Sequence, residues 1–337
     1  MCGLAGLVIG KKVRSIDDLN EIRDEFSSLM VATQIRGRHA TGAFVVNKSG
    51  VTYHKAALSA DKMVRTDSWK KLMSAITADT TAVVGHVRYA TKGDPSENSN
   101  NHPILNGPII GVHNGVITND CEICEEYPYE EEVDSAAIFS LFAGVAEKSR
   151  LSTAKISAAL PYLNGSFAVI AADNRRRDSI FVMRDSTNPL VFHKDAERKL
   201  LWLSSTGAIM RDGLHNRRIV TTMFPAYSVA RLSRAHAGKS PVKVSKWYEP
   251  AEFIEINDVP QKAGAFSTAG LWDDEFGMDP VSPKKNPLKV SIPTRITDIK
   301  NNASQVAAHK AFYAYQKGGG DKRQSQWLFD EFLPSLE

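Results

Sequence analysis

A cysteine follows the first methionine in Met1-Cys2-Gly3-Leu4-Ala5-Gly6-Leu7. Its side chain is small, so removal of Met1 is expected, which would leave a thiol and a free α-amine on one residue. An α-amine titrates near pKa ~8, so roughly a tenth of it is unprotonated at pH 7, against well under ~0.1% for an ordinary lysine. It can take the proton of the thiol, so nucleophile and base sit together on Cys2. Position 2 could equally hold a small hydrophobe at a frayed end. Small and apolar residues alternating from Gly3 to Ile9 instead predict a buried first strand, which ties that end into a sheet.

Four further clusters carry residue types that suit cleavage of an amide: Ile35-Arg-Gly-Arg-His-Ala-Thr-Gly42, Gly85-His-Val-Arg-Tyr-Ala-Thr-Lys-Gly93, His113-Asn-Gly115 and Val133-Asp-Ser135. Arg88 falls at the end of a predicted interior strand. A guanidinium there needs a structural carboxylate or a ligand, and it matches a carboxylate with two parallel hydrogen bonds. Asn114 and Gly115, at the end of another predicted strand, can offer a side-chain and a backbone N–H to a developing oxyanion. Asp134 opens a predicted helix, where it could hold a substrate ammonium or cap the helix.

Together with Met1-Cys2-Gly3, these clusters resemble in order and approximate spacing the class II glutamine amidotransferase domain, the N-terminal-nucleophile module of glucosamine-6-phosphate synthase, amidophosphoribosyltransferase, glutamate synthase and asparagine synthetase. The resemblance runs from Cys2 to about Met210, and on to Leu232 at its widest. It implies an α+β fold, a four-layer αββα sandwich of the N-terminal-nucleophile hydrolase type, followed by an irregular C-terminal extension. It also implies attack by Cys2 on the side-chain amide of glutamine, release of ammonia and hydrolysis of a γ-glutamyl thioester. By resemblance, Tyr89 and Thr91 line the substrate pocket with Arg88, and Asp134 takes the substrate ammonium. Arg36 sits where the family's Arg-Gly loop helps order the nucleophile. That loop usually continues with an acidic and then a small residue, whereas this chain has His39-Ala40. His86 and His102 match family positions and are read as architectural supports, and Asn98 to Asn100 as pocket wall.

Composition is compatible with this reading. The 337 residues are 42% hydrophobic and 24% charged, with a net charge of +4, which does not argue for nucleic acid or an anionic membrane. No run approaches the ~20 apolar residues of a membrane span, and the start lacks the pattern of a secretory signal, so a cytoplasmic location is expected. Three cysteines do not make a disulfide framework. Cys121-Glu-Ile-Cys124 is a lone CxxC that would have to borrow His102 or His113 to bind zinc, so it is read as an incidental loop pair. No metal and no cofactor is expected.

The elements that would position these residues follow from periodicity. Ser15 should cap an amphipathic helix bearing Leu19, Ile22, Phe26, Leu29 and Met30, ending near Arg36-Gly37. A hairpin spans 42–55, a short helix carries Trp69, Leu72, Met73 and Ile76, and strands cover 81–89 and 108–113. The polar stretch 90–103 is too long and specific for a plain connector. Acidic residues 122–132 read as a solvated excursion, and Asp134 starts a helix to Ala143. Short strands come next at 166–172, 179–184, 190–193, 199–204, 217–222 and 227–232.

Two domains are expected: 2–235, the glutaminase, and 236–337, a linker with a partly helical extension. Residues 258–293 read as a proline-bearing linker, and 303–315 and 324–333 as helices that either strap back on the core or dock a partner. No adenylating Ser-Gly-Gly loop, phosphoribosyl-binding acidic run or sugar-isomerase repeat occurs. The leading expectation is therefore a glutaminase subunit, with glutamine as substrate and a separate ammonia-accepting synthase as partner. Two alternatives are a free-standing amidohydrolase acting on a γ-glutamyl or other amide, and an inactive binding protein that keeps the fold.

Overall fold

The computed structural model describes residues 2–215, 218–237 and 242–247. In chain order the elements are β1 (Gly3–Ile9), α1 (Ile16–Thr33), β2 (Ala40–Asn47), β3 (Val51–Ala56), α2 (Ala60–Met63), α3 (Asp67–Ser74), β4 (Thr80–Arg88), β5 (Ile104–Asn106), β6 (Ile109–Ile117) and α4 (Asp120–Glu126). They continue with α5 (Ser135–Val145), α6 (Thr153–Ala159), β7 (Gly165–Asp173), β8 (Arg176–Arg184), β9 (Val191–Asp195), β10 (Leu200–Ser204), α7 (Gly207–Gly213), β11 (Thr222–Met223), β12 (Ser228–Ser233) and β13 (Val244–Lys246).

Two antiparallel sheets result. One has the order β11-β9-β10-β1-β4-β2-β3 and the other β13-β12-β8-β7-β6-β5. Strand β1 lies inside its sheet, with Ala5 opposite both Ser204 of β10 and Gly85 of β4. Alternation along β1 assigns its two faces. Leu4 and Val8 enter the core between the sheets with Phe44, Val84, Val112 and Ile170, while Ala5, Leu7 and Ile9 pack under the helices with Phe26, Met30, Trp69 and Met210. A third core lies over the other sheet, where Ile138, Phe139 and Phe142 of α5 meet Phe167 and Phe181. Helices, sheet, sheet, helices is the expected four-layer sandwich. Burying a ring such as Phe26, Phe139 or Phe181 contributes roughly 2–3 kcal/mol of apolar transfer free energy.

Helix α1 starts as the sequence predicts. Asp18 N–H donates to Ser15 Oγ at 3.0 Å and Ser15 N–H donates to Asp18 Oδ2 at 2.8 Å, a reciprocal cap. It runs into a single 3₁₀ turn, Gln34–Arg36, which delivers the Arg36-Gly37 loop to the head of β1.

Several expectations are corrected. Part of the acidic excursion is helix α4, buried through Asp120 and Ile123, so Cys121 and Cys124 lie on a helix rather than a loop. Strand β6 does not stop before Asn114-Gly115 but continues to Ile117, paired with β7 throughout. Of the strand expected over 217–222, the described residues 218–222 contribute only Thr222, which together with Met223 forms β11. Helices α6 and α7 and strand β13 were not anticipated, and β13 adds an edge to the second sheet beside β12. The expected elements at 258–293, 303–315 and 324–333 lie outside the described residues.

Candidate active site

Cys2 is half-buried at the head of β1, held by Arg36 and Tyr89. Arg36 Nε donates to its carbonyl at 2.6 Å, so the 3₁₀ turn after α1 fixes the backbone of Cys2. Tyr89, one residue past the end of β4, supplies both contacts to the sulfur. Its N–H donates to Sγ at 3.4 Å and its carbonyl accepts from the thiol at 3.6 Å. Burial pushes the Cys2 thiol up, reinforced by Asp134 and opposed by the Tyr89 N–H and the positive charge of Arg88. Among the described residues no side-chain base hydrogen-bonds Sγ.

Gly37 lets the loop reach this point. A Cβ there would lie 2.5–2.6 Å from the Arg88 carbonyl and Tyr89 N, although its φ of 179° is open to any residue. The next contact in the loop comes from His39. Its N–H donates to Arg88 O at 3.0 Å, its Nδ1 accepts from Ala90 N–H at 2.9 Å, and its ring stacks on Tyr89 at 5.1 Å.

Arg88 is only 4% exposed. Its guanidinium donates to Asn101 Oδ1 at 2.8 Å, Lys92 O at 2.6 Å and Gly93 O at 2.8 Å. Every one of these acceptors is neutral, and among the described residues no carboxylate forms an ion pair with it. Cys2 and Asp134 both lie within its field. Loop 90–103 is thus a cradle: Asn101 also holds Pro95 O and Asn98, Asn100 exchanges hydrogen bonds with Glu132, and Lys92 pairs with Asp120. Lys55 reaches in from β3 to donate to Ser99 O, Asn101 O and Pro103 O at 2.7–3.1 Å.

Asn114 is buried on β6, and its Nδ2 donates to Ser205 Oγ at 3.0 Å while its Oδ1 has no partner among the described residues. Ser205 Oγ also accepts from Leu4 N–H at 2.8 Å, so Asn114 is joined to the nucleophile's strand through Ser205. One amide hydrogen of Asn114 remains for a ligand. Gly115 comes next at φ +140°, where a Cβ would stand 1.9 Å from Ser166 O, so only glycine fits. Asp134 does not cap α5. Its Oδ2 accepts from Ile117 N–H at 2.6 Å, which links the end of β6 to the start of α5. Thr91 is exposed on the loop beyond Tyr89.

His86 and His102 form the floor. His86 Nε2 donates to His113 O at 3.0 Å, and the two rings lie 4.0 Å apart. Both are buried, and among the described residues Nδ1 of His86 and both nitrogens of His102 have no partner. Burial lowers His86 to about 3 and His102 well below its ordinary value, so both are neutral. The structure therefore groups Cys2, Arg36, Arg88 and Tyr89 by direct or adjacent contacts, and reaches Asn114 through Ser205. Sequence reasoning passed over Ser205, Asn101 and Lys55, whose partners lie elsewhere along the chain and leave no local spacing signal. No three His, Cys, Asp or Glu side chains are grouped as metal ligands among the described residues.

The Cys2 thiol thus sits at the head of an interior strand in an αββα sandwich, two stacked antiparallel sheets with helices outside. Solved structures agree on the fold. The glutamine phosphoribosylpyrophosphate amidotransferase of B. subtilis superposes with a TM-score of 0.54 at 14% identity, covering 74% of this chain and 50% of that one. The structure titled as the allosteric regulatory enzyme of purine biosynthesis gives 0.55 at 16%, with the same coverage.

Residues 86–211 match the model of a glutamine amidotransferase domain. Among curated relatives, the glutamine–fructose-6-phosphate aminotransferase of Sulfurisphaera tokodaii is 27% identical over 197 residues, covering 57% of this chain and 31% of the relative. That of Lactococcus lactis is 30% identical over 197 residues, covering 57% and 30%. The chain thus spans about a third of the length of the curated relatives it matches.

Proposed function

We propose that the protein hydrolyses the side-chain amide of glutamine and supplies the ammonia to a separate acceptor enzyme. The observation that carries this reading is Arg88, a buried guanidinium beside the thiol whose three acceptors are neutral and which has no carboxylate counter-ion among the described residues. A free α-carboxylate is the missing partner, and bidentate pairing would complete it.

In this reading Met1 is removed and the amine of Cys2 takes the thiol proton, since Sγ has no side-chain base among the described residues. The thiolate attacks the carboxamide carbon, and the oxyanion is met by the remaining amide hydrogen of Asn114 and the N–H of Gly115. Arg88 holds the substrate carboxylate, Asp134 its ammonium, and Tyr89 and Thr91 border the pocket. Arg36 keeps the Cys2 backbone in place, while His86 and His102 stay neutral and structural. The Cys2 ammonium returns its proton to the leaving nitrogen, which departs as ammonia. A water then gives its proton to the amine, its oxygen attacks the thioester carbon, and glutamate leaves with the thiol restored. No cofactor enters. Residues 2–235 carry this chemistry in the cytoplasm, and 236–337, beginning with the added edge strand β13, serve the partner. The relatives are named for transfer to fructose 6-phosphate, but this chain spans only about a third of their length, so their acceptor is not carried over to it.

Glutamine-dependent ammonia release by the purified chain tests this. Cys2→Ala should lower it by at least ~10³-fold with an unchanged circular dichroism spectrum. Intact mass should show Met1 absent, and 6-diazo-5-oxo-norleucine should label Cys2 alone. Activity near wild type in Cys2→Ala would overturn the proposal. Adding the acceptor enzyme should raise turnover, whereas a chain indifferent to every acceptor would be a simple amidohydrolase.

A further inference from the structure

Strand β4 ends at Arg88 and β2 begins at Ala40, its register partner, so the sheet gives no ladder bond to Tyr89 and Ala90. Yet the peptide groups of Tyr89 are the two that touch Sγ, at 3.4 and 3.6 Å. Something else must hold them. His39 precedes Ala40 and contacts three successive residues across the gap. Its backbone donates to Arg88 O at 3.0 Å, its ring lies on Tyr89 at 5.1 Å with 28° between planes, and its Nδ1 accepts from Ala90 N–H at 2.9 Å. A backbone N–H can only donate, so Nδ1 is unprotonated and Nε2 carries the ring hydrogen.

From this bracket we infer that His39 is a positioning residue, which extends the hold of the sheet by two residues and fixes the Tyr89 N–H on the sulfur. A fixed N–H donor favours the thiolate over the thiol and keeps it from swinging out of the pocket. Tyr89 is 50% exposed, so apart from this stack it has little packing to restrain it. Gly37 brings the same loop onto Arg88 from the other side, which leaves His39 as the side chain of the loop that grips beyond Arg88. A carboxylate, the residue type expected at 39, could accept the Ala90 N–H but offers no flat face for Tyr89. This chain has one side chain that does both.

The inference rests on the glutaminase reading for its kinetic test, and a second readout is independent of that reading. In the full chain, His39→Ala should lower kcat for ammonia release about tenfold, the equivalent of one positional hydrogen bond, with KM for glutamine within about twofold. His39→Asn restores an acceptor and should recover kcat to within about threefold. His39→Phe keeps the face without the acceptor and should stay near the alanine value. Wild-type kcat in His39→Ala, equal loss in His39→Ala and His39→Asn, or a change in KM alone would overturn the bracket.

Alkylation of Cys2 by iodoacetamide, read out by peptide mass spectrometry, needs no glutamine. It should slow in His39→Ala and recover in His39→Asn. Should the wild type release no ammonia while this labelling pattern holds, the glutaminase reading falls and the bracket stands. Identical labelling rates in all variants would remove the bracket whatever the activity.

Discussion

Two regions of the site solve the same problem in opposite ways. The floor buries three histidines, His86, His102 and His113, and burial drives each toward the neutral form. The wall buries Arg88 and half-buries Lys55, and both donate to oxygen acceptors that are mostly backbone carbonyls. An imidazole with an ordinary pKa near 6.5 can shed its charge when desolvated, but a guanidinium cannot. The protein therefore lets the floor go neutral and surrounds the wall's permanent charge with dipoles. Arg88 therefore keeps its positive charge at the site while the histidines lose theirs.

The largest test of this contrast is Arg88→Lys. A point charge remains, but the two-pronged contact is lost, so KM for glutamine should rise about 10- to 100-fold with kcat less affected. An unchanged KM would put Arg88 in the scaffold.

The floor predicts acid sensitivity. A histidine held neutral in the folded state binds fewer protons than in the unfolded chain, so its stabilising contribution is present above pH 6.5 and lost as pH falls below it. For His86 the window runs from 6.5 down to about 3. Each fully buried histidine should give a slope of up to about 1.4 kcal/mol per pH unit in urea titrations. His86→Gln should remove its share of that slope, and an unchanged slope would mean that His86 is not held neutral. At His113 the carboxylate of Asp134 works against burial and narrows the effect.

Lys55 should give the smallest effect. Burial, opposed by Glu131, brings it down to about 8 from 10.5. The unfolded chain then binds more protons between pH 8 and 10.5, so stability should climb gently with pH across that window. Solvent screening at this half-buried group keeps the rise small. Lys55→Arg, charged throughout, should lack it, and parallel curves for the two proteins would refute the assignment.

Much of this was legible because it is written in side chains that do chemistry or in long periodic runs. Cys2, the apolar alternation of β1 and the Ser15 cap of α1 are local signals, and the sheets preserve them. Helix α4 was missed because Asp120–Glu126 offers Ile123 as its one buried apolar anchor in an acidic heptapeptide. Helix α7 begins and ends in glycine, and its start depends on Thr206 Oγ1 accepting from Ile209 N–H. The extension of β6 past Asn114 was hidden because Gly115, which reads as a turn residue, keeps its ladder partner at a positive φ. His39 was visible only as an oddity within its loop. Its contacts lie 49 to 51 residues away on the far side of a strand pair, where no local pattern could announce them.

Gly37 imposes a limit of a different kind on variation. Because the crowding comes from main-chain atoms of Arg88 and Tyr89, no rotamer change in a neighbour could make room for a methyl group. A saturation library at this codon should return almost nothing but the parent, even though a dihedral plot would mark the site as permissive. Its tolerance to replacement is decided by the strand it touches, far along the chain from the loop itself.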